Sequence, residues 1–494
     1  MSAPLERSTR WMIAGLLAIA GAAALRSAAA GTLRVDEVEI AGASQVIVAV
    51  LSAFGCSALC GGYLAGLAAL SGGTSPRPSW RWLVSVAVVL QVIAALAIPL
   101  TSNDVFNYLL WGHLEAFGGV HAATASPEVL LADPLHLWVG RAWGAFPCVY
   151  GPVLIAYFRL ISMLSGGTMV AGLIAHKLTM LFASVAWVGL AAAWTRSWGP
   201  ETSRPALFWL LACNPVWLTE IAGQAHNDGL VVLLVMLAVF AWRRGRQATT
   251  VALLAVATSA KYFAIVPFGM LMLWGILRPK DARWTRCRRV LASASVFVAV
   301  VVACYAPTWD GWITISYPWS FLTAPQFVGS LLHVAYAAGW LWGPETMLAV
   351  ASGVGGVFAV LLAVLTLGWI WGWRADPDDG WRPWETSFRF VLLYLVLLTG
   401  FFLPWYLTWM LPLVAVVHDR RWWAVVAVYG CSAILYFGWD PLFDLALPAF
   451  VSQALRPVLS QGPALIALLR MAGGRSPVPA RLWRPGRIYV RRVQ

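Results

Sequence analysis

The stretch WMIAGLLAIAGAAALRSAAA, residues 11–30, decides the fold class of this chain. A helix needs about 20 mostly apolar residues to cross the hydrocarbon core of a membrane, and this stretch supplies them. Its small-residue end resembles that of a secretory signal. Because further apolar stretches of similar length follow along the chain, we interpret it as an uncleaved first membrane helix.

The composition extends this interpretation to the whole chain. Of the 494 residues, 60% are hydrophobic and 11% are charged, whereas soluble domains carry about 25% charged residues. The apolar runs are continuous and do not alternate with polar residues, which disfavours a β-barrel. The sequence therefore predicts an all-α polytopic membrane protein with about 13 transmembrane helices (12–14).

The positive charge follows the pattern of a membrane protein. The net charge of +13 could indicate nucleic-acid binding, but the basic residues cluster in short loops such as RRGR (243–246) and HDRR (418–421). The positive-inside rule places such loops in the cytoplasm. We therefore expect no nucleic-acid partner and a single polytopic domain over residues 1–475 in the inner (plasma) membrane. A basic cytoplasmic-side tail over 476–494 would contact membrane lipids.

Three segments are expected on the opposite, extracytoplasmic face of the membrane. They are 101–151, the turn at 223–228, and 306–345, which contains no Lys or Arg. This topology requires that the helix after Tyr-Gly-Pro, at about 152–165, does not cross the membrane fully.

Metal and nucleotide sites are not indicated by the motifs. Among the seven cysteines, Cys56 and Cys60 lie one helical turn apart inside an apolar run, so we expect no structural disulfide. No Cys–His spacing suggests zinc. No glycine-rich phosphate loop or dinucleotide motif appears, and we interpret the Asp-x-Asp within 376–380 as a solvated turn. We therefore expect neither a metal nor a cofactor.

The stretch TSNDVFNYLLWGH, residues 101–113, places polar side chains directly after the third apolar run. Asp104, Asn107, Tyr108 and Trp111 are spaced i, i+3, i+4 and i+7, so a helix would present all four on one side. We expect a short juxtamembrane helix lying along the outer membrane surface. Asp104 is either the N-cap of that helix or a functional acid.

A second polar group lies within NPVWLTEIAGQAHNDGL, residues 214–230, between two apolar runs. Ionisable side chains at membrane depth are costly and commonly mark a functional site. Asp228 could be an N-cap for the following helix. Capping does not explain Glu220 and His226, and the stretch is interpreted as functional.

Two lysines lie in apolar surroundings with no acid within a helical turn, Lys177 and Lys261. An unpaired lysine in hydrocarbon costs on the order of 3 kcal/mol, so each should either extend to the interface or meet an anion. That anion is Asp104, Asp228 or a ligand phosphate.

Aromatic residues interrupt a later apolar run, FFLPWYLTWMLPL at 401–413. Most of the 30 tryptophans are expected in the interfacial belts of the membrane. A minority on the outer face, including Trp405, could instead stack on sugar rings.

These motifs together resemble the polytopic GT-C glycosyltransferases, and among them the polyprenyl-phosphate-mannose-dependent mannosyltransferases of the actinobacterial lipomannan type. The matching positions, spread over about 100–415, are Asp104, Tyr108, Gly112, Asp133-Pro134, Tyr150-Gly151-Pro152, Asn214-Pro215, Gly223, His226-Asn227-Asp228, Lys261, Pro404-Trp405-Tyr406 and Trp409. Two positions depart from the family pattern: Leu135 replaces the usual aromatic residue after Asp-Pro, and Lys177 replaces the arginine of many members.

The resemblance implies a lipid-linked sugar phosphate as donor, in the outer leaflet, and a glycan or glycolipid as acceptor. It implies that Asp104, in an outer-face loop over about 101–151, is the general base for the acceptor hydroxyl. Lys261, assisted by Lys177 or His226, would bind the donor phosphate. Attack from the opposite face of the sugar would invert its configuration. We expect these residues to contact substrate: Tyr108, Asn227, Asp228, Trp405 and Tyr406.

Two alternatives remain open. One is an enzyme of the same superfamily that uses an arabinofuranosyl or glucosyl lipid phosphate. The other is a transporter or flippase of lipid-linked sugars, which would spread polar residues over both faces and often show internal repeats. The concentration of polar residues on one face favours the enzyme.

Overall fold

The computed structural model describes residues 3–33, 40–72, 78–130, 135, 146–277, 282–323, 327–375 and 379–474. These residues are almost entirely helical, and the β-structure among them is one isolated parallel bridge between Val328 and Phe401. The predicted all-helical class is therefore confirmed. The Asp133-Pro134 motif, the first residues of the Asp-x-Asp turn and the basic tail at 476–494 lie outside the described residues.

Eighteen α-helices are numbered here in chain order within the described residues. They are α1 Ala3–Ala30, α2 Ala43–Ser71, α3 Trp80–Ala95, α4 Asp104–Ala116, α5 Pro152–Leu164, α6 Met169–Thr195, α7 Arg204–Ala212, α8 Asp228–Arg243, α9 Gln247–Thr258, α10 Ile265–Leu277, α11 Arg283–Tyr305, α12 Ile313–Thr323, α13 Leu331–Gly339, α14 Met347–Gly372, α15 Arg382–Leu393, α16 Leu411–Val414, α17 Arg420–Ala446 and α18 Ala449–Ala472. Two π-helical segments, Trp217–Gly223 and Tyr394–Leu398, and the 3₁₀ segment Pro404–Met410 lie between them.

Within the described residues, six helices are long and apolar enough to cross a membrane, or seven if the bent pair Glu201–Ala212 and Trp217–Gly223 forms one span. The protein is therefore a multi-span membrane protein, but the predicted count of about 13 is not confirmed. Several apolar runs are split into helices of 10–17 residues, among them α3 and α5. At 1.5 Å per residue such helices fall short of a hydrocarbon core of about 30 Å.

The segment from α7 to α8 forms the centre of the bundle. Nearly every side chain from Ala206 to Gly229 is buried, including the polar group at Glu220–Asp228. This burial follows from the sequence, because α7 and α8 are apolar on all sides and such helices pack inside a bundle. The polar turn between these two helices therefore lies in the protein interior.

Helix α4 differs from the amphipathic surface helix that the sequence predicts. It begins at Asp104 as expected, but its residues from Val105 to Gly112 are all buried. The reason is a close contact with α5, where a Cβ at Gly112 would lie 2.2 Å from the carbonyl oxygen of Phe158. The lack of a side chain at Gly112 lets the two backbones approach, so α5 covers this side of α4.

Candidate active site

The turn at 223–227 is held in place by contacts with two other segments. The carbonyl oxygen of Gly223 accepts a hydrogen bond from Lys177 Nζ at 2.6 Å, and the Gln224 side chain accepts one from the backbone N–H of Leu100 at 2.8 Å. His176 Nε2 lies 2.8 Å from the carbonyl oxygen of Ala225. Ala225 has a left-handed backbone (φ 63°), a conformation that costs energy in a residue with a Cβ.

His176 is fixed in one tautomer by its two contacts. Because a carbonyl oxygen only accepts hydrogen bonds, Nε2 must carry the proton that it donates to Ala225. Nδ1 then accepts from the Tyr157 hydroxyl, which lies 2.8 Å away. The neighbouring residues His176 and Lys177 thus both act as supports for the turn.

Asp104 and His226 come together although they are far apart in sequence. Asp104 Oδ2 lies 3.6 Å from His226 Nδ1. The Tyr108 hydroxyl lies 3.3 Å from that same carboxylate oxygen and 3.3 Å from His226 Nδ1. Tyr108 is one turn after Asp104 on α4, so the helix itself aligns the acid and the phenol towards the imidazole.

The other side of the His226 ring faces a second carboxylate. His226 Nε2 lies 3.4 Å from Glu220 Oε2, and the remaining Glu220 oxygen accepts a hydrogen bond from the Thr219 hydroxyl at 3.2 Å. Trp405 stacks on the imidazole with a centroid distance of 3.6 Å and an interplanar angle of 20°. The ring is therefore held between two acids and beneath an aromatic face.

A buried ion pair forms the opposite wall of the site. Lys261 Nζ lies 2.6 Å from Asp228 Oδ2, and the indole N–H of Trp409 donates to the other Asp228 oxygen at 2.7 Å. Lys261 Nζ also lies 4.7 Å from the ring centroid of Tyr150, a cation–π geometry. Lys261 is thereby oriented by an acid and an aromatic ring from two different segments.

Tyr150 is positioned by a glycine that follows it. The N–H of Gly151 donates to the carbonyl oxygen of Ala260 at 3.0 Å, and a Cβ at Gly151 would lie 2.1 Å from the carbonyl oxygen of Ser259. Burial and the nearby Asp104 carboxylate raise the pKa of the Tyr150 hydroxyl well above its usual value. Tyr150 therefore remains a neutral hydrogen-bond donor at physiological pH.

These groups surround a cavity of about 600 Å³. Asp104, Tyr150 and Lys261 lie on its polar side. Thr101, Ser102 and Asn103 add polar lining, and the remaining residues are apolar or aromatic: Val149, Tyr262, Phe263, Val266, Trp319, Phe390, Val391, Tyr394, Phe401, Leu403, Trp405, Tyr406, Trp409 and Phe437. The cavity thus combines a carboxylate and an ammonium group at one side with a long apolar surface.

The predicted site residues fall into two groups. Asp104, Lys261, Trp405 and Tyr406 line the cavity, and Tyr108 and His226 support Asp104 from behind it. The others do not line the cavity. Asp228 bonds Lys261 and Trp409, Lys177 bonds the Gly223 carbonyl, and Asn227 is fully buried.

The roles of two residues in the site, Tyr150 and Glu220, were not predicted from the sequence. Tyr150 was noted only as part of a Tyr-Gly-Pro motif, and Glu220 was given no role. For Tyr150 the motif glycine was a usable signal, because a Gly-Pro pair after an aromatic residue indicates a tight backbone approach. For Glu220 the signal was its position in an apolar stretch, where an unneutralised acid requires a partner.

Comparison with known proteins identifies the family. The model for the N-terminal domain of alpha-(1->6)-mannopyranosyltransferases matches residues 9–276. Alpha-(1->6)-mannopyranosyltransferase A of Mycobacterium tuberculosis is 26% identical over 351 residues, which are 68% of this chain and 65% of that protein. The corresponding A protein of Corynebacterium glutamicum is 29% identical over 210 residues, 40% of each chain.

The B protein of Corynebacterium glutamicum is 30% identical over 142 residues, which are 28% of this chain and 23% of that protein. In each case the aligned part is less than two thirds of the relative's own length. The family match nevertheless covers more than half of the chain and includes Asp104, His226 and Lys261. The chain belongs to the alpha-(1->6)-mannopyranosyltransferase family.

Proposed function

We propose that the protein is a membrane-embedded glycosyltransferase that transfers mannose from a polyprenyl-phosphate donor to a glycan or glycolipid acceptor, forming an α-(1→6) linkage. The observation that carries this proposal is that Asp104 and Lys261 line the same cavity of about 600 Å³. One can accept a proton and the other can balance phosphate charge. The sugar and the linkage are taken from the names of the relatives.

The lining of the cavity supports a lipid-linked donor. A polyprenyl-phosphate sugar has a polar head and a long apolar chain, and the cavity places its charged residues at one side of an aromatic and aliphatic surface. Ligand sites commonly combine such an apolar lining with a few polar groups that fix orientation. The head would lie between Asp104 and Lys261, with the chain along Val266, Phe390 and Val391.

Asp104 would act as the general base in the transfer step. It accepts the proton of the acceptor hydroxyl as that oxygen attacks the anomeric carbon, and the sugar–phosphate bond breaks on the opposite face. A β-linked donor then yields an α-linked product. Tyr108 and His226 hold the carboxylate in position through its Oδ2 atom.

Lys261 would balance the charge that develops on the departing phosphate. Its pairing with Asp228 keeps the resting site from carrying an isolated buried cation. The transition state of glycosyl transfer carries positive charge on the sugar ring, and the carboxylate of Asp104 at the cavity wall would stabilise it. Trp405 and Tyr406 would contact the sugar.

The membrane arrangement is proposed along with the chemistry. The cavity would open on the extracytoplasmic face of the plasma membrane, the catalytic loop would span about 101–151, and the basic loops and the 476–494 tail would lie in the cytoplasm. We also propose that the shorter apolar helices combine into further spans, giving about 13 in one domain over 1–475.

The proposal is tested by supplying purified protein in lipid vesicles with radiolabelled polyprenyl-phosphate mannose, glucose or arabinofuranose and a short α-(1→6)-mannan primer. We expect incorporation from the mannosyl donor, with a product cleaved by an α-(1→6)-specific mannosidase. If only the glucosyl or the arabinofuranosyl donor labels the primer, that sugar is the one transferred and mannose is not. A primer-independent movement of donor across the vesicle membrane, without incorporation, would favour a flippase.

A further inference from the structure

A second cavity, of about 530 Å³, lies next to the first. Thr101 and Phe437 line both cavities, so the two spaces are adjacent. The polar lining of the second cavity is Arg26, Gln45, Ser52, Thr219, Glu220 and Asp444, among others. Gln45 and Asp444 are exposed, and they lie near the ends of α2 and α17, so the cavity has a polar rim at the protein surface.

Three titratable side chains connect the two cavities. Asp104 lines the first cavity and lies 3.6 Å from His226 Nδ1. His226 Nε2 lies 3.4 Å from Glu220 Oε2, and Glu220 lines the second cavity. These separations are slightly longer than hydrogen bonds, and such contacts in a substrate-free site commonly shorten when substrate binds.

The buried polar atoms of Glu220 and His226 are arranged as in a proton path and not as in a hydrogen-bonded ion pair. Glu220 Oε2 and His226 Nε2 are both buried and form no hydrogen bond among the described residues, although they face each other. An imidazole can accept a proton at one nitrogen and release one from the other. The acids on its two sides open into different cavities, so a proton entering at Asp104 would leave at Glu220.

The proposed reaction, on which this inference rests, requires such an exit. The donor is a phosphodiester with one negative charge, and the product is a phosphate monoester whose second pKa is about 6. At pH 7 most of the product therefore carries two charges, and the acceptor's proton leaves the site in most turnovers. The electron pair of the broken sugar–phosphate bond stays on the phosphate, and the acceptor oxygen forms the new bond to the anomeric carbon.

We propose that Asp104, His226 and Glu220 form a proton path that carries the acceptor's proton from the donor cavity to water in the second cavity. Asp104 takes the proton, passes it to His226 Nδ1, and the imidazole releases its Nε2 proton to Glu220. Glu220 then releases it to water at the polar rim. Asp104 is ionised again, and the imidazole proton returns from Nδ1 to Nε2 before the next turnover. Glu220 is a positioning residue for His226 and the terminal acceptor of the path.

The test compares steady-state mannosyl transfer by the wild type, Glu220→Gln and Glu220→Ala in vesicles, with and without added formate. Asp440→Asn is the control, because it removes a carboxylate from α17 that lines neither cavity; its partners are Tyr436 and Arg456. Binding of a fluorescent polyprenyl phosphate and the apparent melting temperature identify variants that are misfolded.

We expect kcat to fall about tenfold or more in both Glu220 variants, with donor KM unchanged. Formate should restore turnover to Glu220→Ala in proportion to its concentration, because the truncated side chain leaves room beside His226. Formate should not restore turnover to Glu220→Gln, because the glutamine side chain still fills the space beside His226. The inference is overturned if folded Glu220 variants keep wild-type kcat, or lose it with no rescue by formate. If the wild type itself transfers no sugar, the proposed function fails and this inference fails with it.

Discussion

Lys261 Nζ lies 2.6 Å from Asp228 Oδ2 in a pair that is almost completely buried. The two residues come from the start of α8 and the segment before α10, 33 positions apart in the chain. Because Asp228 also accepts a hydrogen bond from Trp409, three segments meet at this carboxylate. The pair joins these segments, and it places the Lys261 ammonium group at the wall of the cavity of about 600 Å³.

The Lys261–Asp228 pair should stabilise the fold through mutual charge compensation. Asp228→Asn or Lys261→Met leaves a single buried charge, and we expect each to lower the free energy of unfolding by about 3–5 kcal/mol. The double variant should recover part of this loss. Apparent melting temperatures in detergent should therefore be highest for the wild type, lower for the double variant and lowest for the single variants. Asp444→Asn is the control, since its partner Arg456 lies 3.6 Å away in a partly exposed pair, which contributes about 1 kcal/mol or less.

The motif glycines should be required for packing close to the site. An added Cβ at Gly112 or Gly151 would lie 2.2 Å or 2.1 Å from a backbone oxygen. We expect Gly112→Ala and Gly151→Ala to lower the apparent melting temperature and transfer activity together, because they displace α4 or Tyr150. Gly189→Ala on α6 is the control: within the described residues, no atom outside the backbone of its own helix turn lies within 4 Å of the added Cβ, and alanine favours a helix. Equal melting temperatures for all three variants would contradict this account of the packing.

The buried Tyr150 hydroxyl should make stability depend on alkaline pH. Its pKa is raised in the folded protein by burial and by Asp104, whereas an unfolded tyrosine ionises near pH 10. The stabilisation is therefore fully present below about pH 10 and is lost as the pH rises above it, because the unfolded state releases its proton first. Between pH 8 and 11, the apparent melting temperature should fall more steeply with pH for the wild type than for Tyr150→Phe. The same pH dependence of the melting temperature in both proteins would show that the pKa of Tyr150 is not raised by folding.

The proposed topology can be tested with a natural cysteine. Cys287 is exposed near the start of α11, among four arginines at 283, 286, 288 and 289, and should face the cytoplasm. A membrane-impermeant maleimide should label it in inside-out vesicles and not in sealed right-side-out vesicles. A Glu128→Cys reporter, introduced into Cys287→Ser, should give the opposite pattern. Labelling of both positions from one side would contradict the proposed outer-face site.

Local periodicity was enough to predict part of the site. The i, i+4 spacing of Asp104 and Tyr108 correctly placed both on one side of a helix that begins at Asp104. The expectation that Lys261 meets an anion, with Asp228 among the candidates, also corresponds to the ion pair in the structure. Both expectations depend only on helix geometry and on the cost of a buried charge.

Long-range contacts could not be predicted in the same way. The Tyr108–His226 contact joins residues 118 positions apart and depends on how α4 packs in the bundle. His226 reaches Glu220 through a π-helical turn and a left-handed Ala225, which no spacing rule indicates. Lys177 was expected to extend to the interface or meet an anion, but a backbone carbonyl satisfies it instead.

The number of spans was difficult to predict for a related physical reason. Hydropathy counts apolar residues but does not locate breaks in a helix. The Asn214-Pro215 break ends α7 after nine residues, and the run at 401–413 forms a 3₁₀ segment and a four-residue α16. Such irregular backbone is tolerated inside a membrane where surrounding protein buries it.

The proposed role of Asp104 as the base of a mannosyl transfer is tested by comparing wild type with Asp104→Asn. The substitution keeps the shape of the side chain and removes its ability to accept a proton at neutral pH. Transfer of radiolabelled mannose from polyprenyl-phosphate mannose to a mannan primer should fall about 10²–10⁴-fold. Binding of the donor should remain close to that of the wild type. Transfer by Asp104→Asn at the wild-type rate, in protein of equal stability, would contradict the account and move the base elsewhere.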